Sequence, residues 1–269
     1  MYLDLMKRCL TRSLFQEQLR RAIARPSPGR QPVAWVMYSL IKPLLDTLGL
    51  ELSRTSGPAE RIEGRDWPVE AETMVGLARL QNLQDCVTDV LRNRISGDLI
   101  ETGVWRGGAC IFMRAILKAY GNQEKIVWLA DSFQGLPKPD GRYQQDAGDP
   151  HWRHSDVLAV PLEQVKSNFE RYGLLDRQVG FLVGWFKDTL PEAPISRISV
   201  LRLDGDMYSS TMDALVALYP KLSAGGYAIV DDYGALPTCR EAVDDFRRQC
   251  GIREPLRKID WSGVFWQKS

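Results

Sequence analysis

From Gly97 onward, short apolar runs alternate with longer amphipathic stretches, and this alternation limits the possible folds more than any other feature of the chain. Parallel strands need crossover connections, so strand and helix signals that take turns predict an α/β parallel sheet with helices on both faces. Strands are expected near 98–102, 125–130, 178–183, 197–203 and 226–230, with helices near 108–120, 161–172, 211–222 and 238–250. Two further strands, near 256–260 and 263–267, close the chain and bring the sheet to seven. Ahead of Gly97, "TMVGLARLQNLQDCVTDVLRN" (73–93) has the apolar spacing of a helix.

The first part of the chain reads differently. Leu3, Leu10, Leu14 and Leu19 fall at helical spacing over 3–23, and "ARPSPGRQP" (24–32) then breaks the pattern. Residues 33–50 are apolar enough for one packed helix or two short ones, whereas 53–68 are polar and turn-rich. Residues 1–66 are therefore expected to form an N-terminal helical extension, an appendage to a main domain at 67–269.

Composition narrows the partners. The 269 residues carry 35 basic and 34 acidic side chains, net +1, which supplies no field for nucleic acid or an anionic membrane. Cysteines at 9, 86, 110, 239 and 250 lack the spacing of a zinc site or a disulfide framework. Charges interrupt the first residues, and no apolar run approaches the roughly 18 residues of a membrane span. A cytoplasmic protein acting on a small molecule is the expectation.

Two stretches carry the chemistry. In "GDLIETGVWRGGACIFMRAILKAYG" (97–121) a strand runs into a turn containing Gly103, Gly107 and Gly108, then into a helix, so backbone can approach a ligand at a helix N-terminus. The spacing is not that of a dinucleotide fingerprint. The following strand ends at Asp131, where nucleotide-binding α/β folds place an acid for ribose hydroxyls. With Glu101 on the same sheet edge, the pair suits a ligand bearing a ribose and a cationic group, as S-adenosylmethionine does.

The second stretch is acidic. "ISVLRLDGDMYSSTMDAL" ends a strand at Asp204, and "GGYAIVDDYG" ends the next at Asp231 and Asp232. Parallel neighbours present their C-terminal ends on one edge, so the three carboxylates should converge and repel unless a cation holds them. Oxygen-only ligands favour Mg²⁺. Asp206, beyond the flexible Gly205, is the candidate general base. Strand-end aspartates also serve as caps and turn formers, and the residues alone leave that reading open.

These motifs, with "VWLADSFQGLPKPD" (127–140), "NFERYGLLD" (168–176), "VGWFKDTLPEAP" (183–194) and "IDWSGVFW" (259–266), resemble the macrocin O-methyltransferase (TylF-type) family of metal-dependent S-adenosylmethionine enzymes. The resemblance covers about 66–267. It implies a class I methyltransferase fold, with Rossmann-like sheet, in which Glu101, Thr102, Gly103, Gly107, Asp131, Ser132 and Trp185 surround the cofactor. It further implies Asp204, Asp231 and Asp232 as Mg²⁺ ligands, Asp206 as the base, a sugar hydroxyl of a natural product as acceptor, and a homodimer. Residues 20–65 match nothing in the pattern, and Glu72 stands where histidine is expected. These segments and the long connection at 132–160, read as a lid, should decide the acceptor. His151 and His154, within that connection, are candidate substrate contacts. A catechol or phenolic acceptor is the alternative within methyltransferases, and a nicotinamide-dependent reductase the alternative outside them.

Overall fold

The computed structural model describes residues 1–15, 20–22, 32–48, 53–55, 57–66, 68–149, 152 and 155–269. The chain opens with α1 (Tyr2–Leu10), a short strand β1 (Arg20–Ala22), helix α2 (Pro32–Thr47), strand β2 (Ser53–Thr55), and helices α3 (Pro58–Glu63) and α4 (Leu77–Arg92). The α/β body follows as β3 (Asp98–Thr102), α5 (Gly108–Ala119), β4 (Val127–Asp131), α6 (Ser155–Leu158), α7 (Leu162–Arg171), β5 (Val179–Val183), α8 (Phe186–Thr189), β6 (Ile198–Leu203), α9 (Tyr208–Leu218), β7 (Leu222–Val230), α10 (Pro237–Gln249), β8 (Arg257–Lys258) and β9 (Val264–Gln267).

The expected strands and body helices form within a few residues of their expected bounds. Seven strands make one sheet in the order β5-β4-β3-β6-β7-β9-β8. The first five are parallel and β9 runs antiparallel between β7 and β8. The order reverses between β3 and β6, and in open α/β sheets a crevice for ligands lies beyond the strand ends at such a switch point. Strand ends stay in step there: Asp204 N–H donates to Thr102 O at 2.9 Å, and Asp231 N–H to Leu203 O at 2.9 Å.

Each face of the sheet is covered by its own apolar cluster, as period-two alternation requires. Leu99, Val127, Leu129 and Val200 face α4, α5 and α7, whereas Ile100, Ala130, Leu201 and Ala228 face α9 and α10. Helix α4 turns Leu80, Leu83, Val87 and Val90 inward at helical spacing, and α5 is buried along almost its whole length.

The N-terminal segment departs from expectation. The helix expected over 3–23 ends at Leu10: Arg12 takes a left-handed φ of 56°, Leu14 and Phe15 are exposed, and Arg20–Ala22 pair antiparallel with Ser53–Thr55. Leu19 lies outside the described residues. Met6 and Leu10 join the same core as α5, and Arg61 of α3, fully buried, donates to the carbonyls of Met74 and Val75 at 2.5 and 3.0 Å and pairs with Asp66 at 3.0 Å. Both ends of the segment thus pack on the body. Helix α2 is one helix despite Pro43, with Val33, Met37, Leu40, Leu44 and Leu48 exposed. No helix among the described residues is long and apolar enough to cross a membrane.

Phe112 of α5 is fully buried in the cluster that α1, α4 and α7 share. Phe112→Ala is expected to lower unfolding free energy by about 3–5 kcal/mol in a urea titration, the usual range for deleting a buried aromatic ring.

Candidate active site

Beyond the strand ends lies a cleft of about 1040 Å³, large enough for a nucleoside cofactor beside a second ligand. Its floor comes from the C-terminal ends of five strands: Glu101, Gly103 and Val104 after β3, Asp131 and Ser132 after β4, Gly184 and Trp185 after β5, Asp204 and Asp206 after β6, and Asp231 and Asp232 after β7.

One half is built by backbone. Gly103 adopts φ +82°, and a Cβ there would lie 1.8 Å from the carbonyl oxygen of Asp204, so only glycine lets β3 and β6 close up at the switch point. The two Asp131 oxygens accept the N–H groups of Val104 and Phe133, each at 2.7 Å. Burial raises the Asp131 carboxyl above its ordinary value, with these amides working against the rise. Ser132 Oγ donates to Gly135 O at 2.9 Å and accepts Gln134 N–H at 3.0 Å, shaping the turn beyond Asp131. Trp185 caps α8 and is half-buried in the cleft wall.

The other half is acidic. Single carboxylate oxygens of Asp204, Asp206 and Asp232 lie within 4.8 Å of one another. Burial first, then the neighbouring carboxylates, raises all three, with Asp206 pushed up to about 7 and Asp232 well above the usual range. Asp232 Oδ2 is buried with no hydrogen-bond partner. Three converging, mutually repelling carboxylates with one orphaned oxygen fit a hard divalent cation such as Mg²⁺.

Asp231 is placed otherwise. Its two oxygens pair with the guanidinium groups of Arg202 and Arg79, and it stands outside the converging trio. Arg202, fully buried on β6, also pairs with Glu101 and donates to Asp204 at 2.8 Å. Arg79 reaches Asp260 at 3.0 Å and Gly64 O at 3.2 Å. Burial opposes both arginine charges, but the surrounding carboxylates hold their pKa values above the ordinary one. Glu101, pushed up to about 7 by burial, is spent on Arg202 and on the Cys110 thiol, which donates at 2.8 Å.

A family model described as macrocin-O-methyltransferase (TylF) matches residues 1–268. The chain belongs to the macrocin O-methyltransferase family. It is 50% identical to the 8-demethyl-8-(2,3-dimethoxy-alpha-L-rhamnosyl)-tetracenomycin-C 4'-O-methyltransferase of Streptomyces olivaceus, over 99% of this chain and 92% of that protein. It is 56% identical to the demethyldecarbamoylnovobiocin O-methyltransferase of Streptomyces niveus, over 78% of this chain and 80% of that one. Among solved structures, the O-methyltransferase NovP superposes with a TM-score of 0.83 at 46% identity, covering 100% of this chain and 98% of that one. The class I methyltransferase fold and O-methyltransferase activity follow, and the reductase alternative falls.

In this macrocin-type O-methyltransferase, two residues expected around the cofactor lie off the cleft. Thr102 points to the opposite side of the pleat from Glu101, and its buried hydroxyl has no partner. Gly107 caps α5 with φ +83°; its N–H donates to Val104 O at 2.7 Å, and a Cβ would meet Val165 at 2.9 Å, so its smallness serves packing against α7. Glu72 likewise turns from the cleft to accept from Arg12 at 2.7 Å, while its neighbours Thr73 and Met74 line the wall. His151 and His154 lie outside the described residues; Trp152 between them lines the cleft.

Sequence reasoning missed the arginines. Arg202 interrupts an otherwise apolar central strand, "ISVLRL", two residues before Asp204 and therefore on the same face; that was the available signal. Arg79, far away in sequence on α4, left none. The connection at 132–160 is an ordered wall over its described part: Arg142 grips Asp213 of α9 through two bonds of 2.9 Å each, and Trp105 Nε1 donates to Val157 O at 3.1 Å.

Arg202→Met leaves Glu101 without its buried counter-charge and Asp231 with Arg79 alone, and a loss of about 3–5 kcal/mol in denaturant unfolding is expected. For Asp206 the folded pKa of about 7 stands above the ordinary 3.8, so the native state binds the extra proton and stability falls as pH rises between those values. In cation-free protein, the melting temperature of the wild type relative to Asp206→Asn should drop from pH 5 to pH 8, and millimolar Mg²⁺ should shrink that drop.

Proposed function

We propose that the protein transfers the methyl group of S-adenosylmethionine, with Mg²⁺, to a sugar hydroxyl of a glycosylated natural product. The convergence of Asp204, Asp206 and Asp232 carries this reading, because it puts carboxylates able to hold a cation in the same cleft as the Gly103 turn. S-adenosylmethionine supplies the methyl on a sulfonium, and Mg²⁺ makes an acceptor hydroxyl more acidic.

The chain's own residues do the rest. In this reading Gly103 and Val104 offer close backbone, Asp131 takes the ribose hydroxyls, and Trp185 and Phe186, which line the cleft, take the adenine. Asp204 and Asp232 are the cation's carboxylate ligands; Asp231 joins them only by giving up an arginine. Asp206 accepts the acceptor's proton at its carboxylate. Arg65 and Trp261, stacked with 4.6 Å from guanidinium carbon to ring centroid, and the wall formed by 132–149 bound the acceptor end and hold water out. Residues 1–66 serve as an extension that brings Gly64, Arg65 and Asp66 to that end.

The sugar acceptor is supported by the relatives named for glycosylated substrates, over a phenolic one. A cytoplasmic homodimer belongs to the same reading on family grounds.

Calorimetry tests the donor: S-adenosylhomocysteine should bind and NAD⁺ should not, and the reverse result would overturn the reading. Asp232→Asn should retain that binding while losing Mg²⁺-stimulated methyl transfer to demethyldecarbamoylnovobiocin or a related glycoside by at least about 100-fold; undiminished transfer would remove the cation from the mechanism.

A further inference from the structure

The connection at 132–160 does more than wall the cleft. Asp146 lies within it, 2% exposed, at the N-terminal end of α9. Its Oδ1 accepts the N–H of Tyr208 and its Oδ2 that of Ser209, both at 3.0 Å. These are the first two residues of α9, whose own N-cap, Met207, offers no side-chain acceptor. A helix start normally finds its acceptor in the cap residue itself; here a loop more than sixty residues upstream provides it.

The turn that this cap secures is Asp204–Gly205–Asp206–Met207. Asp206 holds a left-handed φ of 59°, costly for a residue with a Cβ, and Met207 N–H closes onto Gly205 O at 2.6 Å. Such a conformation persists only where its surroundings impose it. The loop is tied to α9 at two further points, Arg142 with Asp213 and the rings of Tyr143 and Tyr208 at 5.1 Å, and to α10 through Thr238 Oγ1, which donates to Asp149 at 3.3 Å. Asp146 itself lies outside the cleft lining.

We infer that Asp146 is a positioning residue: by capping α9 from the loop it holds the Asp204–Asp206 turn in its cation-binding and proton-accepting geometry, so that the acidic half-site is complete only while the loop is docked. This rests on the cation and base roles proposed above. The cofactor half is built from the ends of β3, β4 and β5, whereas the hydrogen bonds of the Asp146 side chain go to the start of α9.

The test uses the full chain with Mn²⁺ alone and S-adenosylhomocysteine alone as probes. In Asp146→Ala, amide hydrogen exchange at 206–209 should accelerate, and Mn²⁺ affinity should fall about 10-fold or more, the range for losing support behind metal ligands. S-adenosylhomocysteine affinity should stay within about twofold, since its half of the cleft keeps its backbone contacts. Asp146→Asn, isosteric and able to accept one of the two amides, should lie between the wild type and the alanine variant and guards against a folding defect. Unchanged exchange at 206–209, or Mn²⁺ and S-adenosylhomocysteine affinities that fall together, would overturn the inference. Wild-type protein that binds S-adenosylhomocysteine but not Mn²⁺ would instead overturn the cation role, and exchange at 206–209 would still decide whether Asp146 holds the turn.

Discussion

The site depends on one buried positive charge. Taking the Arg202 guanidinium out of water costs on the order of several kcal/mol, repaid only with excellent geometry and full hydrogen bonding. The sheet supplies that geometry: parallel pairing sets Glu101 beside Arg202 in register, and Asp204 follows on the same face. Asp231 reaches the guanidinium from β7, and Arg79 from α4 closes the far side of Asp231. Buried arginines and carboxylates thus neutralise one another across three strands and a helix, and any slip in register would strand a charge.

That network divides the cleft. Glu101 and Asp231 are committed to arginines, whereas Asp204, which keeps one contact with Arg202, lies close to Asp206 and Asp232 with an unpartnered oxygen among them. The neutralised core therefore leaves an anionic half-site whose carboxylates could hold a cation and, next to it, a backbone-lined half-site around Gly103 and Asp131, where the cofactor is proposed to sit. A methyl transfer needs this adjacency, since donor and activated hydroxyl must meet in line. The switch point between β3 and β6 provides it, because strands from both halves of the sheet end there side by side.

Much of this was legible in the chain. Alternation placed the seven strands, and the strand-end aspartates and the glycine turn marked the cleft, because period and turn chemistry are local properties. The motifs around Gly103 and Asp204 carried the family resemblance for the same reason. Local signals failed where a residue's role depends on what packs against it. Helical spacing ran on past Leu10 although the helix stops there, Gly107 and Thr102 turned away from the cleft, and Asp231 went to the arginines instead of the aspartate cluster.

The sequence by itself determined the α/β class, the strand order's raw material, the acidic strand ends and the family, since each is written in short-range patterns of residue type. Only the tertiary structure decided which carboxylates are neutralised and which remain to meet a ligand. That choice is made by charges brought together from distant parts of the chain, Arg79 with Asp231 and Asp146 with the start of α9, and pairing in a low-dielectric interior depends on distances that no sequence spacing contains.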